Sequence, residues 1–242
     1  MYTNSGSYPL ESQVKIVSRS HNWVLKNAER LKESLEIKYR KLKPKDLKEV
    51  KALHKEWFPI NYSNEFFQSI GSTTHSIAAV VNPRKYGDSR TTHPVIVGMI
   101  LFRIQVNSSN EHIKFTYMFS VTHSCYIATL GVVEAMRGHG IAKQLLLRCK
   151  GACEARVERP LFISLHVITH NTDAIGLYEK LGFQRNSTNY NHYYIDGKYY
   201  DGYLYILYMD ESASPVLSTK NVSSFFRSIG KLPQFIKAVF WG

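Results

Sequence analysis

The sequence has little cysteine and no long apolar run. Three of its 242 residues are cysteines, an odd number in a chain large enough to build a hydrophobic core, so we expect no disulfide framework. No apolar run approaches the roughly 20 residues that a membrane-spanning helix needs. The amino terminus has no basic segment followed by an apolar one, so we expect no secretory signal. These absences favour a globular protein in a reducing compartment.

The sequence also has no zinc-binding pattern of cysteine and histidine and no aromatic ribonucleoprotein motif. Cys149 and Cys153 lie four residues apart on a predicted helix without histidines nearby, so we interpret them as packing residues and expect no metal site. The formal net charge is +12, from 31 Lys and Arg against 19 Asp and Glu. Such a charge attracts polyanions, and without a recognition motif we expect no nucleic acid among the partners.

Hydrophobic periodicity predicts an α/β domain with a mixed sheet. The predicted order along the chain is a strand, two helices, three strands, a helix, a strand, a helix and two strands. The predicted strands cover residues 36–42, 76–81, 96–104, 125–133, 161–167 and 203–209, with a tyrosine-rich hairpin strand around 191–194. The predicted helices cover residues 43–57, 65–70, 137–148 and 173–181. Pro59 ends the first helix, because proline excludes helical geometry from the preceding residue.

The segment Arg137–Ala142 lies between a predicted apolar strand and a predicted helix and contains two glycines. Such a turn leaves backbone N–H groups free to bind a pyrophosphate. It lacks the Lys-Ser/Thr ending of a P-loop and the third glycine of a dinucleotide-binding fingerprint. An ordinary strand-to-helix turn is the alternative reading. The residues expected to bind the phosphates are Gly138, His139, Gly140, Ile141, Ala142 and Lys143.

An arginine before Gly-x-Gly, with Leu-Gly-Val upstream, resembles the acetyl-CoA signature of the Gcn5-related N-acetyltransferases (GNAT). The predicted element order is also that of this family, over roughly residues 36–209. The resemblance implies the GNAT acyl-CoA N-acyltransferase fold, a mixed central sheet flanked by helices, with acetyl-CoA as cosubstrate. It further implies that pantetheine and the thiol end of CoA lie against Leu130, Gly131, Val132, Asn171 and Tyr178.

Two side chains are candidates for proton transfer. Acetyl transfer to an amine requires a free nitrogen lone pair, and a histidine or tyrosine can accept the departing proton. His166 lies near the end of one predicted strand and Tyr126 at the start of another; core packing is the alternative for both. The segments 126–132 and 165–167 resemble the N-terminal acetyltransferases related to catalytic subunits 50 and 60, which implies that Tyr126 and His166 are general bases acting through ordered water.

The same resemblance implies a peptide site. The segment Trp57–Tyr62 resembles the family's loop around the first substrate residue, with Tyr62 as the contact, and Ala128 lines the same site. The hairpin containing Tyr193 resembles the segment that closes over the peptide; surface packing is the alternative. Asn61 stands where the family usually has glutamate, which bears on preference for the second substrate residue.

The carboxyl-terminal segment has an amphipathic pattern. We divide the chain into an extension (1–34), the acetyltransferase domain (35–209), a linker (210–222) and a tail (223–242). Apolar residues such as Phe225 and Ile229 fall on one side of a helical wheel in the tail, and basic residues fall on the other. This pattern predicts a helix in a membrane interface; a helix packed on the domain is the alternative. The resemblance favours the cytosolic face of a membrane, with Golgi preferred.

The expected function is transfer of acetyl from acetyl-CoA to the α-amino group of protein N-termini. The resemblance implies Met-initiated substrates, notably cytosol-facing termini of membrane proteins. One alternative is lysine ε-acetylation, including histone tails, and another is a membrane-bound adaptor without catalysis. The sequence leaves the oligomeric state open, a homodimer included.

Overall fold

The computed structural model describes residues 18–89, 91, 93–107 and 122–209. The described helices are α1 (Arg19–Lys26), α2 (Ala28–Glu33), α3 (Leu47–Trp57), α4 (Asn64–Gln68), α5 (Ile141–Glu154) and α6 (Thr172–Lys180). The described strands are β1 (Lys38–Arg40), β2 (His75–Val81), β3 (Val95–Asn107), β4 (Thr122–Val132), β5 (Phe162–Ile168), β6 (Gln184–Ile195) and β7 (Lys198–Tyr208). The predicted element order is confirmed from β1 to β7.

These seven strands form one mixed sheet in the order β1-β2-β3-β4-β5-β7-β6. The β4–β5 pair is parallel and the other neighbours are antiparallel. Helix α5 connects β4 to β5, as a crossover between parallel strands requires, and it packs against β2, β3 and β4. The mixed sheet with flanking helices that the sequence predicts is therefore present.

Strands β4 and β5 separate soon after they meet. Their pairing consists of Cys125 with Ile163 and Tyr126 with Ser164. Beyond Tyr126, β4 continues to Val132 paired only with β3, while β5 continues paired with β7. A parallel pair that stops after two residues leaves strand-edge backbone groups of β4 without a β5 partner. The sheet thus opens into a gap at its centre.

The glycine turn delays the start of α5. The sequence predicted a helix from residue 137, but α5 begins at Ile141. Gly138 and Gly140 have φ angles of 79° and 74°, in the left-handed region that glycine adopts without steric cost. The helix also extends past the predicted end at residue 148, because Cys149 and Cys153 continue its buried face.

The residues before β1 pack against the domain. Trp23, Val24 and Leu31 are buried in the same core as the sheet, and the Trp23 indole N–H donates to Asp88 at 2.9 Å. The sequence predicted an extension up to residue 34, whereas 19–33 form two helices that cover part of the core. The predicted linker and tail lie outside the described residues. No helix in the described part of the chain is long and apolar enough to cross a bilayer.

Candidate functional site

Tyr126 and His166 meet where β4 and β5 separate. The Tyr126 hydroxyl lies 3.2 Å from His166 Nδ1, and both side chains are buried. Tyr126 is the last β4 residue paired with β5, and His166 lies two residues beyond its partner Ser164. Both side chains therefore stand at the apex of the gap, which brings the two predicted proton acceptors together.

Two residues of β6 fix the His166 imidazole. The amide nitrogen of Asn189 donates to His166 Nε2 at 2.9 Å. An amide N–H₂ only donates, so Nε2 is the unprotonated nitrogen and Nδ1 carries the hydrogen in the neutral ring. Nδ1–H then donates to the Tyr126 oxygen. The imidazole ring of His166 stacks on that of His192, with ring centroids 4.2 Å apart.

Burial keeps both groups in their neutral forms. Burial lowers the pKa of His166 well below its usual value, and the neighbouring His192 lowers it further. Burial raises the pKa of Tyr126, opposed by the positive charge of Arg103. At neutral pH the site thus holds an unprotonated imidazole and an intact phenol. A neutral imidazole retains a lone pair that can take a proton.

The glycine turn before α5 presents backbone donors to solvent. Gly140 is the residue before the helix, and no side chain of the turn caps the helix end. A Cβ placed on Gly138 or Gly140 would meet no atom within 4 Å, so their positive φ, and not lack of space, requires glycine. The exposed Arg137 and Lys143 add positive charge. The turn has the donors and the charge that a pyrophosphate requires.

Gly131 allows Trp57 to pack directly on β4. A Cβ at Gly131 would lie 2.1 Å from Trp57 Cε3, so any side chain there would displace the indole. Among the described residues, the buried Trp57 Nε1 and Thr129 Oγ1 have no hydrogen-bond partner. Buried polar groups without a partner are uncommon in folded proteins.

An open cleft of about 780 Å³ lies between the loop after α3 and the β6–β7 hairpin. Its lining includes Asn61 and Tyr62 from the loop and His192, Tyr194 and Tyr199 from the hairpin. His192 also stacks on His166, so the cleft leads to the Tyr126–His166 pair. The two segments that the sequence predicted on either side of a peptide do face each other.

The remaining predicted site residues occupy defined positions around the gap. Ala128, Leu130 and Val132 are buried on β4. Asn171 caps α6 by accepting from the Ala174 N–H at 3.1 Å, a local role that the sequence did not predict. Tyr178 is fully buried and packs on Phe183 and Tyr205.

Tyr193 is also buried. It therefore does not pack on the surface, which was the alternative interpretation of this residue. It is 1% exposed and packs with Ile168 and Ile195. Its hydroxyl has no hydrogen-bond partner among the described residues. Burial raises the pKa of Tyr193 well above its usual value, and interactions with Tyr126, Tyr178 and Tyr62 raise it further.

Sequence reasoning missed Asn189 and placed His192 only as part of a hairpin. Asn189 reaches His166 because β6 pairs with β7, which in turn pairs with β5. Irregular register between Asn189 and Tyr193 sets which β6 side chains face the site. No local pattern encodes such a contact between residues 23 positions apart.

Comparison with known proteins agrees with this geometry. A model of the acetyltransferase (GNAT) family matches residues 47–183. "Histone acetyltransferase MCC1" of Arabidopsis thaliana is 31% identical over 183 residues, which cover 74% of this chain and 72% of that protein. "N-alpha-acetyltransferase 60" of Danio rerio is 32% identical over 185 residues, which cover 74% and 73%.

Solved structures show the same likeness. The crystal structure of Arabidopsis thaliana NAA60 with a bisubstrate analogue has a TM-score of 0.63 and 31% identity, and covers 72% of this chain and 100% of that chain. The structure of that protein with acetyl-CoA has a TM-score of 0.63 and 30% identity, and covers 72% and 99%. The glycine turn and the gap in the sheet fit acetyl-CoA, since they offer free backbone donors to its diphosphate and its amides.

Proposed function

The chain belongs to the GNAT acetyltransferase family, and from this we propose that it acetylates the α-amino group of protein N-termini, with acetyl-CoA as the acetyl donor. The observation that carries the proposal is the Tyr126–His166 pair at the apex of the gap. The strand that carries Tyr126 leads toward a turn suited to the diphosphate, and His166 stacks on His192, which lines a cleft open to a peptide. Relatives named N-alpha-acetyltransferase 60 support this choice of amine.

Acetyl-CoA supplies a thioester whose carbonyl carbon the amine attacks. Backbone N–H groups from Gly138 to Lys143 bind the diphosphate, and the free edge of β4 at Leu130 and Val132 binds the pantetheine amides. Backbone N–H groups around Leu130 also stabilise the oxyanion that forms during attack. Asn171 and Tyr178 lie on the other side of the pantetheine, with Tyr178 near the leaving thiolate.

The attacking amine loses its proton through a relay. Tyr126 Oη accepts the proton, directly or through water, and passes its own proton to His166 Nδ1. This step requires a lone pair on Nδ1, with the hydrogen on Nε2. A half-turn of the Asn189 amide presents its oxygen to Nε2–H and so stabilises that tautomer. The high pKa of Tyr126 suits a relay, because the phenol never needs to persist as a phenolate.

The cleft selects the peptide. Asn61 and Tyr62 line the cleft. We assign Tyr62, Tyr193 and Ala128 to the first substrate residue and Asn61 to the next one, as the family resemblance implies. An amide at position 61 carries no charge, so it neither attracts a basic second residue nor repels an acidic one, as a carboxylate would. We propose Met-initiated N-termini as substrates, including those of membrane proteins that face the cytosol.

We also propose that the tail holds the enzyme at the cytosolic face of a membrane, with Golgi the preferred organelle. Support comes from the sequence: an apolar face with a basic opposite face, in a chain of net charge +12. Such a helix gains from apolar burial and from attraction to anionic lipid.

A second activity is supported by one relative, the protein named histone acetyltransferase MCC1. Lysine ε-acetylation uses the same donor and the same deprotonation step. Two matched peptides separate the activities: a Met-initiated peptide with one internal lysine, and the same peptide with a blocked α-amine. Mass spectrometry with fragmentation locates each acetyl group.

We expect the full chain to acetylate the free α-amine and to modify the blocked peptide at least ten times more slowly. Equal rates on both peptides would assign the enzyme to lysine, and no product from either would favour an adaptor. Tyr126→Phe and His166→Ala should each lower kcat by about 100-fold, the usual contribution of a general base. Tyr190→Phe is the matched control, because Tyr190 is 78% exposed on β6.

A further inference from the structure

The three cysteines of the chain converge on one point behind the sheet. Cys125 lies on β4, and Cys149 and Cys153 lie on α5. Their sulfur atoms all lie within 4.8 Å of one another, and all three side chains are buried. Residues four apart share a helix face, so both α5 thiols point toward Cys125. None of these thiols takes part in the acetyl-transfer steps proposed above.

The spacing of the sulfurs suits an ion bound by all three. A zinc–thiolate bond is about 2.3 Å long, so two sulfurs on one ion are at most about 4.6 Å apart. Small side-chain rotations would bring the three sulfurs within that limit. All three thiols are free, so no disulfide competes for them.

One end of the cluster lies close to the surface. Cys153 is in the last turn of α5, next to the exposed residues 154–159. An incoming ion therefore has a short path to the cluster from this end, and it binds each sulfur as the thiolate.

We propose that Cys125, Cys149 and Cys153 together bind one thiophilic metal ion of the Zn²⁺ class, at a structural site that joins α5 to β4. Three sulfur–metal bonds form, and the protons still present on the thiols leave to solvent. Proton release therefore accompanies binding of the ion. This inference is independent of the proposed acetyl transfer.

The proposed metal site would also affect catalysis, because it includes the residue next to Tyr126. Cys125 directly precedes Tyr126 on β4 and points to the opposite face of the strand. An ion that fixes Cys125 to α5 therefore holds β4 at the residue before the proton relay. The glycine turn begins the same helix whose last turn carries Cys153.

The test is a titration of the reduced, metal-free full chain with Zn²⁺ and, separately, Cd²⁺. We expect one ion per chain, release of protons as the ion binds, and the charge-transfer absorption of a cadmium thiolate. Cys125→Ala, Cys149→Ala and Cys153→Ala should each weaken binding at least tenfold. The control His93→Gln removes an exposed imidazole outside the cluster and should bind as the unaltered chain does.

The unaltered chain alone can overturn the proposal, whether or not the variants fold. Absence of a cadmium–thiolate band, or Zn²⁺ binding without proton release, would show that the cysteines only pack. A thermal midpoint that rises with Zn²⁺ in the unaltered chain and not in the cysteine variants would support a structural ion.

Discussion

At the residue scale, the chemistry depends on which nitrogen of His166 carries the hydrogen. Asn189 controls this choice because its amide can donate to Nε2 or accept from it. The sequence identified Tyr126 and His166 because their local segments carry a family pattern. It could not identify Asn189, because β6 has no pattern that relates residue 189 to residue 166.

A carboxylate in place of Asn189 should change the pH dependence of catalysis. Burial lowers the pKa of His166, so the unaltered enzyme keeps its imidazole neutral well into the acid range. In Asn189→Asp, a negative charge beside Nε2 favours the protonated ring and raises that pKa. The acid limb of kcat/KM should therefore move to higher pH by at least about one unit, with activity retained above it.

The matched control is Asn186→Asp, the same change at an exposed position of β6. Its kcat/KM profile should follow that of the unaltered chain. An Asn189→Asp profile that also coincides with the unaltered one would mean that His166 does not take up the substrate proton.

At the scale of elements, α3 contributes a buried histidine to an aromatic cluster next to the peptide cleft. His54 lies in an aromatic cluster and donates from Nδ1 to the Val50 carbonyl at 2.8 Å. The rings that surround it are Phe58, Tyr62, Phe66 and Phe67. This cluster underlies the loop that lines the peptide cleft. Hydrophobic periodicity predicted the helix, but a 3.6-residue period does not reveal that its histidine would be buried in neutral form.

The buried His54 should make stability depend on pH. Burial lowers its pKa to about 4, below the usual value of about 6.5. Between these values the unfolded chain binds a proton that the folded chain does not, so the free energy of unfolding falls as pH falls. From pH 7 to pH 5 the unaltered chain should lose about 2 kcal/mol more than His54→Gln, measured by urea denaturation. Equal losses would contradict the burial of a neutral imidazole; His93→Gln controls for an exposed histidine.

The contact between α3 and β4 depends on Gly131. Gly131→Ala places a Cβ against the Trp57 indole, so we expect a loss of about 1 to 3 kcal/mol in unfolding free energy and weaker acetyl-CoA binding. Gly151→Ala is the control, because it lies in α5 with no atom within 4 Å of the new Cβ. It should leave stability unchanged or raise it by up to about 1 kcal/mol. A Gly131→Ala protein as stable as the control would show that Trp57 does not pack as described.

Sequence patterns predicted the elements better than their exact limits. Residue periodicity located the sheet strands from 76 to 167 and the helices between them, since burial on one face sets the period. It placed the start of α5 four residues early, because glycine conformation and not hydrophobicity decides where that helix begins. It also left residues 19–33 unassigned to the core, since the buried side of α1 contains only a few apolar residues.

At the scale of the whole molecule, the proposed tail would set where the enzyme acts. Full chains carrying Ile229→Asp and Ile236→Asp place charge on the predicted apolar face. They should be recovered on vesicles of anionic lipid at least ten times less than the unaltered chain, since apolar burial drives interfacial binding. Sedimentation of the vesicles measures the bound fraction.

Ser223→Asp and Gln234→Asp together make the matched control, with the same added charge on the side opposite the predicted apolar face. This control should lose less binding than the apolar-face variant. Equal losses in both would mean that charge alone, and not an amphipathic helix, brings the chain to the membrane.

We propose that the glycine turn and the gap between β4 and β5 hold acetyl-CoA by its diphosphate, with the thioester beside Tyr126 and His166. Titration calorimetry of the full chain compares acetyl-CoA with acetyl-pantetheine, which lacks the diphosphate. We expect one molecule of acetyl-CoA per chain and at least tenfold weaker binding of acetyl-pantetheine. Equal binding of the two compounds, or no heat with either, would rule out this mode of cofactor binding.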